Sequence, residues 1–245
     1  NTTVKAVGSL RLKKGADRRL RSGHLWIYSN EVDVATTPLK TLSAGTEVVV
    51  EDATGKFVAM AVVNPASLIC ARLYSREKSG HLGKPLIVNR LKQALQFRES
   101  YFSKPFYRAF FGDSDLLPGL VVDRFGDYLS VQLTTAALDQ RRNDVIAALD
   151  EVFSPKGIVF RNQGPFRQME GLPESVEVAA GDIPELVELE ENNTRFLAPV
   201  MTGQKTGWFY DHRINRQQLQ KLSKGKTVLD VYSYVGGWGV QAATA

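Results

Sequence analysis

The feature that most constrains the fold is the segment 203–245, where a polar and aromatic run precedes a helical stretch, a short strand and a glycine turn. It begins with GQKTGWFYDHR and later contains VLDVYSYVGGWG. The second run predicts an apolar strand at 228–232 that carries Asp230, a turn at Gly236 and Gly237, and then a helix. Such a corner binds nucleotides in open α/β sheets, because glycines let the backbone approach a ligand and the helix N-terminus offers free N–H groups. We expect this strand to be the first of a sheet that is truncated at the end of the chain.

The spacing of the glycines leaves a simpler interpretation open. The dinucleotide fingerprint G-x-G-x-x-G is not met, since Gly236, Gly237 and Gly239 are spaced differently. The turn usual in methyltransferases has glycines two, four and six residues after the acidic residue, and only Gly236 matches. A glycine turn between any strand and any helix explains these residues about as well.

Composition is ordinary for a globular protein, with 43% hydrophobic and 23% charged residues among 245. No apolar run approaches the ~20 residues that a membrane helix needs, and no signal-peptide pattern opens the chain. The single cysteine, Cys70, excludes an internal disulfide and a cysteine-based metal cluster, and it fits a reducing compartment. We therefore expect a cytoplasmic protein with no membrane association and no metal.

Positive charge is concentrated near the N-terminal end. Residues 1–28 contain seven Lys or Arg residues against one Asp, a net charge of +6, whereas the whole chain carries +5. Aromatic residues follow these cations, a mixture that is typical of RNA-binding modules, although a solvated surface is the alternative. Trp26 alternates with Tyr28 on a predicted strand, so a core position fits it equally well. The candidate RNA-binding residues are Lys13, Lys14, Arg18, Arg19, Arg21, His24 and Trp26.

The first 76 residues predict a small β-barrel. The runs 47–52 and 56–63 flank Gly55 and predict a hairpin, since glycine supplies the positive φ that the turn needs. Residues 24–28 and 69–74 predict two further strands around one short basic helix.

Residues 77–195 predict an α+β domain after a polar linker at 75–85. A 3.6-residue apolar period indicates the helices, and β-rich runs around turns indicate the strands. Four aspartates between 113 and 127 do not fit the spacing of a calcium loop, so a structural role in turns is favoured. The predicted helices are 86–102 and 137–153, the predicted strands are 107–111, 120–124, 128–133 and 157–161, and a further hairpin spans 185–200.

Three blocks resemble one protein family. GDSDLLPGLVVDRFGDY at 112–128, QKTGWFYDHR at 204–213 and SYVGGWG at 233–239 resemble blocks of the 23S, or large-subunit, ribosomal RNA cytosine-C5 methyltransferases that carry a PUA domain. Val235 and Trp238 replace the commoner Thr and Phe. The resemblance includes the basic helix and covers nearly all of the chain. It implies an α/β multidomain fold, with a PUA-like RNA-binding β-barrel at 1–76, the α+β middle domain at 77–195 and the truncated start of a Rossmann-like methyltransferase domain at 196–245.

The resemblance also implies S-adenosyl-L-methionine as cofactor and a cytosine of large-subunit ribosomal RNA as substrate. In this family a cysteine thiolate adds to C6 of cytosine and makes C5 nucleophilic. Cys70 lies in an apolar strand of the RNA-binding module, so we expect the nucleophile beyond residue 245 and no activity from this chain alone. Asp211 is expected to bind ribose or to cap the next helix, and Lys205 and Arg213 to hold a carboxylate or a phosphate. The implied cofactor-binding residues are Gln204, Lys205, Thr206, Gly207, Phe209, Asp211, Arg213, Asp230, Tyr232, Ser233, Tyr234, Gly236 and Gly237.

Two other functions stay open at the level of the sequence. One is a non-catalytic RNA-binding protein in which the α/β segment only stabilises the middle domain. The other is an enzyme that binds a different nucleotide cofactor at the same turn. The oligomeric state is open too, with a homodimer among the options.

Overall fold

The structure is a computed structural model that describes residues 8–245. Its first unit is a five-stranded sheet in the order β1-β3-β4-β5-β2, with β1 parallel to β3 and the other pairs antiparallel. Fourteen buried apolar residues form its core. The elements are β1 (Gly8–Arg11), α1 (Asp17–Arg21), β2 (Trp26–Tyr28), β3 (Glu47–Glu51), β4 (Phe57–Val63) and β5 (Ile69–Ser75).

The predicted hairpin of this unit is confirmed, and its geometry follows from the sequence. Val48 and Val50 are fully buried on β3 and alternate with the partly exposed Glu47, Val49 and Glu51. At the turn, Asp52 accepts hydrogen bonds from the backbone N–H of Thr54 and of Lys56, and Gly55 has φ +89°. A side chain at Gly55 would be strained there, which explains the glycine.

The second unit is a five-stranded sheet in the order β10-β9-β8-β7-β6, in which only β8 and β9 run parallel. Its largest core lies on the face covered by α2 and α4. The predicted helix at 137–153 is in fact two helices, and β10 and α5 were not predicted. The elements are α2 (Lys84–Glu99), β6 (Phe106–Phe111), β7 (Leu120–Phe125), β8 (Tyr128–Leu133), α3 (Ala136–Asp139), α4 (Arg142–Phe153), β9 (Gly157–Asn162), α5 (Pro165–Met169) and β10 (Ser175–Gly181).

The opposite face of this sheet is covered by the hairpin β11 (Val187–Glu191) and β12 (Thr194–Ala198). Phe125 and Val159 belong to the core on this face, whereas Ile158 and Phe160, the strand neighbours of Val159, belong to the other core, as the two-residue period of a strand requires. The predicted domain boundary at 195/196 falls inside β12 and would cut through the hairpin. In the structure the hairpin continues across this position. Helices α6 (Arg213–Ser223) and α7 (Gly239–Ala243) follow.

The predicted strand at 228–232 is wrong for this structure, which has no regular secondary structure there. Leu229 is 86% exposed and Tyr232 is fully exposed. A strand needs a neighbour to receive its backbone hydrogen bonds, and no strand within residues 8–245 lies beside this one. The Rossmann-like opening is therefore not formed as a sheet. The helix predicted from residue 240 is present as α7.

The two five-stranded units are joined by buried polar contacts. The Glu170 carboxylate, whose side chain is 2% exposed, accepts from Arg72 at 2.5 Å, from the Asn64 amide at 2.8 Å and from the N–H of Ala136 at 3.2 Å. Arg141 reaches across from the middle unit and donates to Glu47 at 2.8 Å. Within residues 8–245, none of the helices is long and apolar enough to cross a membrane.

Candidate RNA-binding face and cofactor loop

Helix α1 carries part of the predicted RNA-binding set, but Arg19 makes internal contacts. Its guanidinium donates to both carboxylate oxygens of Glu31 at 2.8 Å and to the Trp26 carbonyl at 3.2 Å. It also lies 5.1 Å from the centre of the Tyr28 ring. The structure therefore gives Arg19 a role in holding β2 in place of the predicted phosphate contact.

Arg21 is exposed, but acidic residues neutralise its charge. It donates to Asp17 at 2.7 Å and to Asp52 at 3.1 Å. The Thr54 hydroxyl, more than any other group, lowers the pKa of Asp52 to about 2, so this carboxylate is ionised at neutral pH. Asp52 comes from a different strand, which the local charge count of the sequence does not include.

Four other cations on this face have no carboxylate within salt-bridge distance among residues 8–245. Lys14 and Arg18 are exposed, and Lys13 donates only to the Asn30 carbonyl, at 2.9 Å. The fourth is Arg76, which sequence reasoning missed because it lies far from α1 in the chain. Burial and the nearby charge of Arg21 both lower its pKa, which shows that two cations share this surface. Lys5, which contributed to the charge count, lies outside the described residues.

His24 and Trp26 lie where this basic face meets the middle unit. Their rings contact edge to face, with centroids 5.7 Å apart. The Trp26 indole N–H donates to Asp113 at 2.6 Å. Both residues are half-buried, so Trp26 is neither a free stacking surface nor a core residue. It connects the N-terminal unit to the loop at 112–115.

The loop that contains residues 203–209 rests on two arginines of the middle sheet, the buried Arg161 and the partly exposed Arg108. Arg161 is 4% exposed and donates to the carbonyls of Val200 at 2.8 Å and Gly203 at 2.5 Å. Among residues 8–245 it has no carboxylate partner, its Nε has no hydrogen-bond partner, and burial lowers its pKa. An isolated buried guanidinium is costly unless something compensates its charge.

The second arginine, Arg108, belongs to a hydrogen-bonded group that fixes Thr206. The buried Asp123 carboxylate accepts from Arg108 at 2.8 Å and from the Thr206 hydroxyl at 2.5 Å. Burial would lower the pKa of Arg108, but the Asp123 hydrogen bonds raise it overall. Gly207 has φ +105°, and a Cβ there would lie 3.0 Å from the Val200 backbone. Thr206 and Gly207 therefore shape the loop from inside.

Glu191 holds the C-terminal segment to the hairpin. Its fully buried carboxylate accepts from Arg216 at 2.6 Å, from the Trp208 indole at 3.0 Å and from Gln241 at 2.9 Å. Arg213 donates to the same carboxylate at 3.4 Å and to the Phe106 carbonyl. Arg213 is thus structural in this structure, and the role of Glu191 was not foreseen.

Of the predicted cofactor residues, the structure brings together Gln204, Lys205, Phe209 and Tyr234. The Gln204 N–H donates to the Tyr234 hydroxyl at 3.0 Å, and the Phe209 and Tyr234 rings lie 6.2 Å apart. The Lys205 ammonium is 5.3 Å from the Phe209 ring. Tyr232 and Ser233 are exposed beside them.

Backbone strain is concentrated in the same cluster. Lys205, Tyr232 and Tyr234 have φ values of 50°, 61° and 52°, and they are three of the seven non-glycine residues with positive φ in the described chain. Such conformations cost about 1–3 kcal/mol each and are frequent at functional sites.

The glycine turn itself serves packing in this structure. A Cβ at Gly237 would lie 3.1 Å from the Trp208 ring, so the close approach is to a side chain and not to an open ligand site. Gly236 has φ +76°, which favours glycine. Asp230 accepts from the Gly239 N–H at 2.9 Å and so binds the start of α7.

Asp211 does not join the Gln204–Tyr234 cluster. It is exposed and lines a separate cavity of about 360 Å³ between the middle sheet and the start of α6. No cluster of three or more His, Cys, Asp or Glu side chains within residues 8–245 is arranged to hold a metal ion.

Cys70 lies in the N-terminal core, as predicted. It is fully buried, and its thiol is 3.5 Å from the Ile27 carbonyl. Burial raises its pKa to about 11. A thiol of this kind is neither accessible nor ionised at neutral pH, so it cannot act as a nucleophile.

Comparison with known proteins identifies the N-terminal module. The family described as PUA-like domain matches residues 10–76, which confirms the predicted N-terminal module. Ribosomal RNA large subunit methyltransferase I of Erwinia tasmaniensis is 34% identical over 238 residues, covering 94% of this chain and 59% of that protein. The protein of the same name from Vibrio vulnificus is 34% identical over 236 residues, covering 94% of this chain and 58% of that protein. The chain thus spans less than two thirds of the length of these relatives.

Solved structures share the fold. The crystal structure of SMU.776, assigned as a methyltransferase and complexed with SAH, has a TM-score of 0.80 at 22% identity, over 97% of this chain and 60% of that one. A protein from Streptococcus mutans assigned as a SAM-dependent methyltransferase gives 0.77 at 23% identity, over 96% and 60%. At these identities the likeness shows the fold alone: a mixed α/β fold with a PUA-like module, shared with methyltransferases.

Proposed function

We propose that the protein acts in S-adenosylmethionine-dependent methylation of large-subunit ribosomal RNA, with C5 of a cytosine as the methylated position. The observation that carries this proposal is the 34% identity over 238 residues to proteins named Ribosomal RNA large subunit methyltransferase I. That identity spans the basic face, the middle sheet and the cofactor loop together. We also propose that the protein acts in the cytoplasm, where ribosomal RNA is found.

The residues of the Gln204–Tyr234 cluster suit this cofactor chemically. Arg161 is a buried cation without a carboxylate partner among the described residues, and Lys205 in the loop that Arg161 supports adds a second positive charge. These two positive charges favour the binding of an anionic group such as the carboxylate of the methionine moiety. The rings of Phe209 and Tyr234 offer flat faces to an adenine. When bound, S-adenosylmethionine supplies a methyl group carried on sulfonium.

We assign direct contacts and positioning roles separately. Thr206, Gly207, Arg213, Asp230 and Gly237 shape the loop and the segment behind it through the contacts described above. The residues proposed to contact the cofactor are Gln204, Lys205, Phe209, Tyr232, Ser233, Tyr234 and Gly236.

The RNA is proposed to lie across the basic face. The cations there without a carboxylate partner, Lys13, Lys14, Arg18 and Arg76, are placed to contact phosphates. Because Cys70 is buried and un-ionised, none of the side chains assigned here is the nucleophile of a C5 methylation.

Photo-crosslinking of radiolabelled S-adenosylmethionine tests the cofactor proposal without requiring turnover. We expect label on peptides from residues 203–238, with competition by S-adenosylhomocysteine but not by ATP. Tyr234→Phe removes the hydroxyl that fixes the Gln204 N–H and should reduce labelling, whereas the exposed and remote Tyr101→Phe should not. Competition by ATP would favour a different nucleotide cofactor, and label elsewhere would overturn the assignment of this loop.

The RNA proposal is tested by the salt dependence of binding to a large-subunit ribosomal RNA fragment. Replacing Lys14, Arg18 and Arg76 by Ala should weaken binding. It should also make the negative slope of log K against log salt shallower by about two to three, since each phosphate contact contributes about 0.7–0.9 to its steepness. Replacing Arg19 should act through stability instead. An unchanged slope in the triple variant would place the RNA elsewhere. RNA binding without any labelling by the cofactor would support a non-catalytic RNA-binding protein.

A further inference from the structure

The cavity beside Asp211 has features that the proposed function does not use. It lies between the C-terminal end of α2, strand β6 and the start of α6, and its volume of about 360 Å³ falls within the range of about 300–1,000 Å³ found for small-molecule sites. Rings of Phe102, Tyr107, Phe111 and Tyr210 line it. A cavity bounded by so many flat faces suits a planar ligand.

Guanidinium groups also line the cavity, but it is not an anion site. Arg98 is paired in a bidentate way with Asp115, at 2.5 and 2.7 Å. Arg108 is paired in the same way with Asp123, at 2.8 and 3.0 Å. The third, Arg213, contacts the buried Glu191 carboxylate. Arg98 and Arg108 therefore each have a carboxylate of their own, whereas Arg213 shares Glu191 with Arg216 and lines a cavity that Asp211 also lines. Because these carboxylates balance the positive charges that face the cavity, a phosphate or carboxylate ligand would gain little there.

The guanidiniums contribute flat surfaces instead of charge. Arg213 lies over the Phe102 ring at 4.6 Å, and Arg108 lies 5.2 Å from the Phe111 ring. Phe102 stacks on Tyr107, with centroids 5.3 Å apart and planes 22° from parallel. Phe111 is 49% exposed, so one aromatic face is available to a ligand. Nucleobases stack on aromatic rings and on guanidinium planes of this kind.

Asp211 provides the polar specificity of the cavity. Its side chain is 71% exposed, and among the described residues the basic side chain within 4 Å of it is the His212 ring, at 3.8 Å. It is therefore the lining carboxylate that is free to accept hydrogen bonds from a ligand. An ionised carboxylate can only accept, so it favours an amino group and disfavours a carbonyl.

The cavity adjoins the proposed RNA path. Phe111 immediately precedes the loop at 112–115, and Asp113 in that loop accepts from the Trp26 indole at 2.6 Å. An RNA strand that leaves the basic face at His24 and Trp26 therefore meets the loop that follows Phe111.

We propose that this cavity binds one unstacked, amino-bearing nucleobase of the RNA, with Asp211 as the acceptor for the exocyclic amino group. Cytosine and adenine present an N–H₂ donor at that position, whereas uracil presents a carbonyl acceptor. This inference rests on the proposed RNA-binding function, and it adds a base-selective site that is separate from the cofactor cluster.

Binding of hairpin RNAs that differ at one loop position tests the proposal. With cytosine, adenine, uracil or an abasic residue at that position, fluorescence anisotropy at fixed salt should show cytosine and adenine bound about tenfold more tightly than the other two. Asp211→Asn should remove the preference over uracil, because an amide can donate as well as accept. Phe111→Ala should reduce affinity for every base but not for the abasic RNA.

A matched control is Phe166→Ala, which removes a 65% exposed ring from α5 outside the cavity and should leave all four affinities unchanged. Calorimetry of S-adenosylhomocysteine should give wild-type affinity for the Phe111 variant. Equal wild-type affinity for all four RNAs would overturn the base site while leaving RNA binding intact. Absence of salt-dependent binding to any RNA would instead overturn the proposed function and this inference with it.

Discussion

At the scale of single residues, Cys70 gives the clearest prediction. Its thiol is fully buried and has a pKa of about 11, so at pH 8 only about one molecule in a thousand carries the thiolate. We expect native protein to react with iodoacetamide at least about a hundredfold more slowly than the urea-unfolded chain. Mass spectrometry of timed samples measures this ratio. Alkylation of the native protein at the unfolded rate would restore Cys70 as a candidate nucleophile.

The residue scale also shows what sequence reasoning could not reach. The exposed position of Arg18 follows from its place on a short basic helix, and that of Lys14 from the turn just before the helix. The ion pair between Arg19 and Glu31 could not be predicted in this way, because it depends on how the chain folds back beside helix α1. Arg76 joins the same face from a separate strand, so only the folded sheet shows it.

At the scale of elements, Glu191 is the residue on which the C-terminal segment depends. Glu191→Ala leaves the Arg216 guanidinium, 4% exposed, buried without its carboxylate. We expect a loss of about 3–5 kcal/mol in the free energy of unfolding and faster proteolysis after residue 200. Urea denaturation and limited trypsin digestion measure the two effects. Glu188→Ala on the same strand, 62% exposed, should change neither, and equal effects of both substitutions would contradict the role of Glu191.

Elements were predictable where a local pattern sufficed. The hairpins carry alternating apolar residues and turn residues, and they form where predicted. Strand β10 was missed because Ser175–Gly181 consists largely of small residues and has a weak apolar pattern. The strand at 228–232 has a strong apolar pattern but no neighbouring strand in the structure, and a pattern cannot supply the missing hydrogen-bond partners.

At the scale of the whole molecule, the contact between the two five-stranded units is the part least accessible to sequence reasoning. Asn64 and Glu170 are 106 residues apart, and nothing local marks them as partners. The loop that is proposed to bind the cofactor was predicted from its motif. The contacts by which Arg161 and Asp123 support this loop were not predicted, because those two side chains come from strands of the middle sheet.

The contact between Arg141 and Glu47, which joins the two units, should make the stability of the protein depend on pH. Burial disfavours the ionised form of Glu47, but the Tyr74 hydroxyl, the Leu82 N–H and nearby positive groups outweigh it, so its pKa lies below 4.5. A lowered pKa stabilises the fold above pH 4.5, and this contribution is lost as the pH falls through the folded value. Urea midpoints between pH 3 and 7 should therefore decline in acid, and Glu47→Gln should flatten that decline at a cost of about 1–3 kcal/mol at pH 7. The exposed Glu185→Gln should keep the wild-type profile.

Cooperative unfolding tests whether the two units behave as one body. Glu170→Ala leaves Arg72 without its 2.5 Å partner and removes the acceptor of the Asn64 amide, both at the buried contact. We expect a loss of about 3–5 kcal/mol and the separation of one urea transition into two, because the first unit has a core of its own and contributes only Met60, Val62 and Tyr74 as buried residues to the larger core. Tryptophan fluorescence reports both units, with Trp26 in the first and Trp208 beside the middle sheet. Glu185→Ala, which removes an exposed carboxylate from the middle unit, should leave a single transition at the wild-type midpoint. A single transition at that midpoint for Glu170→Ala would mean that the units are joined by their apolar contacts alone.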